Sequence, residues 1–151
     1  MSVQTSTGLA QYLAVTGSLK SAFDGGRIHI YSGTIPLTPD SAVFPDTTLW
    51  TITVGGDGTG LEFSDTPVGR ALVKPTDAIW GGAILLSGTA TYYRLVDSTD
   101  DGTESETAIR IQGTVASVAG ADMFMSNPAL IANPAVLAKV LTAFSLTLPM
   151  E

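Results

Sequence analysis

The sequence predicts a mainly β domain, either a β-sandwich or a jelly-roll-like fold, with a short N-terminal helix. Three observations lead to this prediction. Runs that alternate between apolar and polar residues recur along most of the chain, and Gly, Pro, Asn and Asp separate them. Helical spacing of apolar residues is convincing in one segment, near the start. The length of 151 residues fits one structural domain.

Residues 1–26 are predicted to form an N-terminal helical segment. Apolar residues recur there at helical spacing between residues 6 and 23. Ser6 or Thr7 can cap the start of the helix, and Ser18 can cap a second helix if the segment breaks in two. A Gly-Gly pair ends the segment, because glycine accepts the left-handed conformation that terminates helices.

Residues 27–151 are predicted to form the β domain, which begins with a strand at residues 27–32. Ile28 and Ile30 lie on one face of this strand, because side chains alternate between faces. Residues 33–48 contain three prolines among small polar residues. Proline lacks the backbone donor that a central strand needs, so this stretch is predicted to be a long proline-rich loop or arm.

Further strands are predicted along the rest of the chain. They cover residues 49–54, 61–64, 70–73, 83–87, 91–96, 107–115, 122–126 and 138–148. The glycine-rich stretch 55–60 is interpreted as a hairpin connection, because the Lys and Ser or Thr of a phosphate-binding loop do not follow it. Two Asn-Pro-Ala segments, at residues 127–129 and 133–135, are predicted to form two turns of the same chemistry.

Composition indicates a protein that packs against other proteins. Fourteen acidic and seven basic residues give a formal charge of -7, which argues against nucleic acid as a partner. Charged residues make up 14% of the chain, against about 25% in an ordinary domain. So few charges leave neutral surface exposed, and such surface is typical of subunit contacts. Cysteine is absent, which excludes disulfides and thiolate metal sites.

No run reaches the roughly 20 apolar residues that span a bilayer, and the first residues do not have the pattern of a secretory signal. We therefore expect a soluble protein that is made in a cytoplasm and has no membrane partner.

The residue supply argues against catalysis. His29 is the single histidine, and no Gly-x-Ser-x-Gly motif accompanies it. It is interpreted as a surface or interface residue of a strand, where its charge could tune contacts near neutral pH. We predict no catalytic residue, no cofactor and no enzymatic activity.

The acidic stretch 97–106 contains weak candidates for metal ligands. It matches positions 1, 3, 5 and 6 of a calcium-binding loop, but Ala108 stands where the bidentate glutamate of position 12 is expected. A solvated acidic loop between two strands is the favoured interpretation. The candidate ligands are Asp97, Asp100, Asp101 and Glu104.

Several segments carry recognisable motifs. Tyr-Ser-Gly-Thr-Ile-Pro occupies residues 31–36 and ends a predicted strand. Further segments of this character are residues 6–9, 15–20, 80–82, 87–96, 110–115, 120–122 and 144–149. Together they resemble small structural proteins of tailed bacteriophages, which often combine an N-terminal helix, a strand ending in this motif and a β domain. The resemblance implies a virion structural protein, and its motifs carry no catalytic signature.

The expected function is therefore a virion subunit, most simply a capsid decoration or cement protein or a part of the neck or tail. Its expected partners are other copies of itself, in a homo-oligomer, and other virion proteins. The N-terminal helix and the arm are predicted to reach neighbouring subunits. The candidate interface residues are Leu9, Tyr12, Tyr31, Ile35, Pro36, Leu37 and Phe44.

Two other functions remain open at this point. One is a module that binds a host-surface glycan through Trp50, Trp80 or a tyrosine of the pair Tyr92 and Tyr93, although strand aromatics more often pack in a core. The other is a polysaccharide hydrolase, which requires two carboxylates facing each other in a cleft.

Overall fold

The computed structural model describes residues 3–43, 47–118 and 120–147. This part of the chain is mainly β with two short helices near the N-terminus, which confirms the predicted fold class. The helices are α1 (Thr7–Val15) and α2 (Leu19–Phe23). The strands are β1 (Gln4–Thr5), β2 (Arg27–Tyr31), β3 (Thr48–Val54), β4 (Ala71–Val73), β5 (Trp80–Gly82), β6 (Gly88–Thr89), β7 (Tyr92–Val96), β8 (Arg110–Ala116), β9 (Met123–Phe124), β10 (Ala129–Leu130), β11 (Lys139–Leu141) and β12 (Ser145–Thr147).

A large antiparallel sheet forms the centre of the fold. Its strands run in the order β1-β8-β7-β2-β3-β5-β11, and β9 adds to β8 in the parallel direction. Two ribbons, β4 with β12 and β6 with β10, lie beside this sheet. Phe144, just before β12, packs edge-on against Tyr93 of the sheet with ring centroids 6.1 Å apart. The β4–β12 ribbon therefore covers one face of the sheet, in a sandwich-like arrangement.

The apolar face of the sheet carries the core. Ile28 lies opposite Ile52 and Leu95, and the next row pairs Ile30 with Trp50 and Tyr93. Both rows are buried. Leu9 and Phe23 from the two helices and Phe63, Trp80 and Phe144 from the loops and strands beside them join the same cluster. The alternation predicted for the strand at residues 27–32 is confirmed by this arrangement.

The two helices form as predicted. The Ser6 side chain caps α1, and Ser18 caps α2 in a capping box with Ser21. Gly25 follows α2 with a φ of 86°, a conformation that glycine accepts readily. One difference is that β1 precedes α1 and pairs with β8, so the N-terminal segment is not purely helical.

We expect the replacement of Ser6 by alanine to lower the free energy of unfolding by about 1 to 2 kcal/mol. The buried Ser6 hydroxyl accepts from the N–H groups of Leu9 (3.1 Å) and Arg110 (2.9 Å), and it donates to the carbonyl of Ala108 (2.7 Å). Alanine leaves all three groups without this partner. Urea unfolding of Ser6→Ala measures the loss, and the exposed Ser98→Ala is the control. Equal midpoints for the two variants would contradict the role of this cap.

The predicted turns are also present. Gly55, Gly56 and Gly58 all have positive φ, and the stretch closes with a bridge between Val54 and Thr59. The two Asn-Pro-Ala segments form matching turns. In each of them the asparagine Oδ1 accepts from the alanine N–H two residues later, at 3.2 Å in the first turn and 3.0 Å in the second.

Three predicted strands differ from the structure. Residues 61–64 form no strand, although Leu61 is buried and bridges to Gly26. Residues 83–87 form a loop, and the flanking segments are the strands, with β5 paired to β3 and β11 and β6 paired to β10. The sheet uses glycines here because a Cβ on Gly82 would lie 2.2 Å from the carbonyl oxygen of Thr51. Glycine is a poor strand former, so the pattern did not mark these segments.

The strand predicted over residues 138–148 is divided into β11 and β12. β11 pairs with β5 of the large sheet, whereas β12 pairs with β4 in a separate ribbon. The break places Phe144 among the core aromatics Phe63, Trp80 and Tyr93. Residue 148 lies outside the described residues. An apolar run with the period of a strand cannot reveal such a change of sheet.

Candidate interaction surfaces

The described part of the proline-rich arm, residues 33–43, is tied to its own chain. It lies along the polar face of the sheet, where three fully buried side chains donate to its backbone. These bonds join Gln112 Nε2 to Pro36 O (2.8 Å), Arg94 Nη2 to Thr38 O (3.3 Å) and Arg110 Nη1 to Pro39 O (2.9 Å). The backbone of these residues therefore serves the chain's own sheet, because its carbonyls satisfy buried donors, and contact of the arm's outer side with neighbouring subunits stays a prediction.

Two of the predicted interface residues lie inside the molecule. Leu9 is in the core, where α1 packs on the sheet. Tyr31 is buried on the opposite face and stacks on Tyr92 with ring centroids 4.9 Å apart. Neither side chain can contact a partner while the chain is folded, so these two predictions are wrong.

The other predicted interface residues are on or near the surface, except for Phe44, which lies outside the described residues. Tyr12 is partly buried against the core, and its hydroxyl lies 3.0 Å from Ser21 Oγ. Ile35 and Pro36 are half-buried. Leu37 is 86% exposed and remains available to a partner.

The acidic stretch contains a buried ion pair. Arg110 is fully buried, and its Nε and Nη2 donate to Asp100 Oδ1 at 3.0 and 2.6 Å. Nη2 also donates to Thr103 O at 2.6 Å. The carboxylate therefore balances the charge that Arg110 brings beneath the arm.

The same stretch does not form the metal site that was considered. Asp97 and Asp101 accept hydrogen bonds from Thr99 and Thr103 within their own turns, and Asp100 binds Arg110. Within residues 3–43, 47–118 and 120–147, no three or more metal-ligating side chains lie close enough together to hold a metal ion. Glu104, the fourth candidate, therefore belongs to no such group. These contacts give no support to the calcium-loop interpretation, and the solvated acidic loop stays the favoured one.

His29 is half-buried in the sheet, and its lowered pKa keeps the imidazole uncharged near neutral pH. Its Nδ1 lies 2.9 Å from Thr51 Oγ1, and its ring faces that of Tyr31. Burial, assisted by the charge of Arg27, lowers the pKa of His29 from 6.5 to about 4. A pKa this low leaves the imidazole uncharged at neutral pH, which gives no support to the expected tuning of contacts there.

This lowered pKa makes stability depend on pH in a defined direction. The unfolded chain protonates His29 below pH 6.5, whereas the folded chain does so near pH 4. The stability from His29 is fully present above pH 6.5 and is lost as the pH falls towards 4, by at most about 3 kcal/mol. Urea unfolding at both ends of this range, on the wild type and on His29→Gln, measures the difference. Equal losses in the two proteins would contradict this pKa.

The four aromatic side chains considered for sugar binding are buried. Trp50 and Trp80 lie in the core, and Tyr92 and Tyr93 lie on opposite faces of the sheet with both faces covered. A carbohydrate platform needs an exposed ring face, so none of these residues can form one in the folded chain.

A polar cleft of about 480 Å³ lies between the arm and the acidic stretch. Asp40, Glu104 and Glu106 line it. Asp40 is occupied by the start of α1, since its carboxylate accepts from the N–H (2.9 Å) and hydroxyl (2.6 Å) of Thr7. The two glutamates are exposed to water, so they lack the apolar surroundings that make a carboxyl group a general acid. This cleft gives no support to a hydrolase.

An apolar groove of about 1450 Å³ opens between α1 and the β4–β12 ribbon. Tyr93 and Ile111 of the large sheet line it deeply, and exposed apolar side chains stand at its rim. Those at the rim are Val3, Leu13, Val68 and Phe124. Protein interiors leave few voids of this size, so an open apolar groove marks a surface that another molecule can cover.

A second apolar surface lies at the end of the large sheet that is formed by β5 and β11. We call it the neutral edge and define it as residues 79–87 and 129–141, which carry one charge, at Lys139. The two segments are joined by the β5–β11 pairing and by a bridge between Ile84 and Asn133. Seven of the fourteen large exposed apolar side chains in the described residues belong to it. They are Ile79, Leu85, Leu86, Ile131, Val136, Leu137 and Val140.

Sequence reasoning missed both surfaces because it placed Leu85, Leu86, Phe124 and Val140 in strands and the other apolar residues in turns, loops or the helix, with no indication that they would lie together. One signal was available, since Lys139 is the single charged residue between positions 123 and 147. Comparison with protein-family models, with curated proteins and with solved structures finds no match for the chain. Among the described residues, no helix is long and apolar enough to cross a membrane.

Proposed function

We propose that the chain is a structural subunit of a tailed-bacteriophage virion, either a capsid decoration or cement protein or a part of the neck or tail. It works through contacts with other protein subunits. The observation that carries this proposal is the concentration of exposed apolar side chains at the groove and the neutral edge. Soluble monomers rarely expose large apolar patches, and such patches mark interaction surfaces.

The motif at residues 31–36 supports the proposal as a structural element. Tyr31 ends β2, and Gly33 turns the chain towards the arm with a φ of 89°. Thr91 Oγ1 donates to the carbonyl of Gly33 at 2.6 Å, and Pro36 accepts from Gln112. Each of these residues shapes the join between a strand and the arm. This fits the resemblance to phage structural proteins, whose shared motifs are structural.

Electron microscopy of purified virions tests the proposal. Particles of the phage that encodes the chain are compared with particles of a mutant that lacks it, both after labelling with a gold-conjugated antibody against the chain. We expect gold at one fixed position on wild-type particles, at the capsid surface, the neck or the tail, and none on the mutant. The purified chain serves as the positive control for antibody binding. If the antibody binds the purified chain but leaves wild-type particles unlabelled, the proposal is overturned.

A further inference from the structure

We propose that the neutral edge is the contact between two copies of this chain, which pair β11 against β11 across a twofold axis. The inference deepens the proposed function and rests on it for its biological setting. It names the partner as a second identical chain and the surface as the open side of β11.

The backbone of β11 is open on one side. It pairs with β5 on its inner side and is the last strand of the sheet among the described residues. An open strand edge is a template for another strand, and proteins usually protect it with charges, prolines or bulges. Lys139 is one such charge, and β11 carries no proline and no second charge. The edge is therefore protected at one residue only, and its open backbone can accept another strand.

Geometry favours an identical partner. A twofold axis through the middle residue of a three-residue strand places Val140 opposite Val140 of the second copy, in an antiparallel pair. One kind of surface then satisfies both sides. Val140 is 42% exposed, and the neighbouring Val136 and Leu137 are exposed as well, so they contribute apolar area that three residues of backbone pairing do not supply.

The size of the surface approaches that of a standard interface. Of the 22 residues in its two segments, 17 are at least partly exposed, since Trp80, Gly81, Gly82, Ile84 and Leu130 are buried. A standard protein interface uses roughly 20 to 30 residues from each partner.

The distribution of charge shows why two acidic chains can meet here. The chain carries a net charge of -7, and the acidic stretch 97–106 connects β7 to β8. In the sheet, β7 lies four positions from β11 and β8 lies five. At roughly 4.8 Å per strand, the nearer strand β7 is about 20 Å from β11. The Debye length at physiological salt is about 8 Å, so the acidic stretches of two copies are screened from each other.

Closer charges do not oppose the contact strongly. Gly56, next to Asp57, packs against Val136, and Asp77 precedes residue 79 by two positions, so two carboxylates lie near the edge and Lys139 is the one charge within it. A basic partner would be drawn to the acidic stretch, on a different part of the molecule. A second neutral edge is the complement that matches this surface.

Sedimentation velocity over a range of concentrations up to about 100 μM tests the proposal on the full chain. We expect the wild type to form dimers. Val140→Asp places two carboxylates opposite each other, and we expect it to weaken the dimer at least about 100-fold. Ile131→Asp, at a side chain that is 77% exposed, is a second variant that leaves the β11 backbone unchanged.

Two controls separate the edge from general surface charge. Val15→Asp and Val118→Asp change side chains that are 88% and 64% exposed and lie outside the neutral edge, and both should dimerise like the wild type. Hydrogen exchange at residues 139–141 should slow as the protein concentration rises, which gives a readout that needs no variant. A monomeric wild type, or dimers that persist equally in both edge variants, would overturn the proposal.

The outcomes also separate this inference from the proposed function. A chain that is monomeric alone but present in virions keeps the virion role and removes the self-contact. A dimer that depends on Val140 but is absent from virions keeps the self-contact and removes the virion role.

Discussion

Replacing Asp100 by alanine is expected to lower the free energy of unfolding by about 3 to 5 kcal/mol. The reason is that Arg110 is fully buried and the Asp100 side chain is 5% exposed, so removal of the carboxylate leaves a buried guanidinium without its counter-charge. Arg110 also holds the arm through Pro39 O and the acidic stretch through Thr103 O. Its displacement would therefore loosen two loops that cover the polar face.

Urea unfolding measures this effect, with Glu104→Gln as the matched control in the same stretch, because Glu104 is exposed. Asp100→Asn is an intermediate variant that keeps the shape of the side chain and removes its charge. We expect Asp100→Ala to lose the most stability, Asp100→Asn to lose less and the control to resemble the wild type. If Asp100→Ala unfolds at the same urea concentration as the control, Asp100 does not balance a buried charge.

Replacing Trp80 by alanine is expected to cost about 3 to 5 kcal/mol as well, for a different reason. Trp80 is fully buried on β5 and lies edge-on to Phe63 with centroids 5.2 Å apart. The ring centroid of Trp80 also lies 6.1 Å from that of Phe144, the residue just before β12. Alanine leaves a cavity at the point where the large sheet and the β4–β12 ribbon meet.

Trp80→Phe is the informative control. It keeps an aromatic ring at this junction, and it removes an indole N–H that has no hydrogen-bond partner among the described residues. We therefore expect it to cost clearly less than alanine. Thermal unfolding followed by circular dichroism ranks the variants. Equal losses for phenylalanine and alanine would show that the ring contacts do not hold this junction together.

The local patterns of the sequence were sufficient to predict the two helices and the strand that follows them, β2. Ser6 and Ser18 mark helix starts by a short-range hydrogen bond, and Ile28 and Ile30 mark a strand face by alternation. These features depend on residues within a few positions of each other. The same holds for the two Asn-Pro-Ala turns, in which the side chain bonds two residues ahead.

The features that were missed depend on contacts between distant residues. Arg94 and Arg110 are charged residues in predicted strands, and nothing in their local pattern indicates that both side chains are buried. They are buried because the carbonyls of Thr38 and Pro39 cover them, more than fifty positions away. Sequence periodicity also gave no indication that β11 and β12 belong to different sheets. For this reason the bonds between the arm and the sheet were not predicted, and neither was the exposure of Val140.

The central proposal is that the chain is built into a particle through its apolar surfaces. Quantitative mass spectrometry of purified virions tests this proposal most directly. We expect a fixed number of copies per particle in independent preparations, and a lower number when the phage encodes Val140→Asp than when it encodes the control Val15→Asp. Trace amounts that vary between preparations and disappear on further purification would contradict this account.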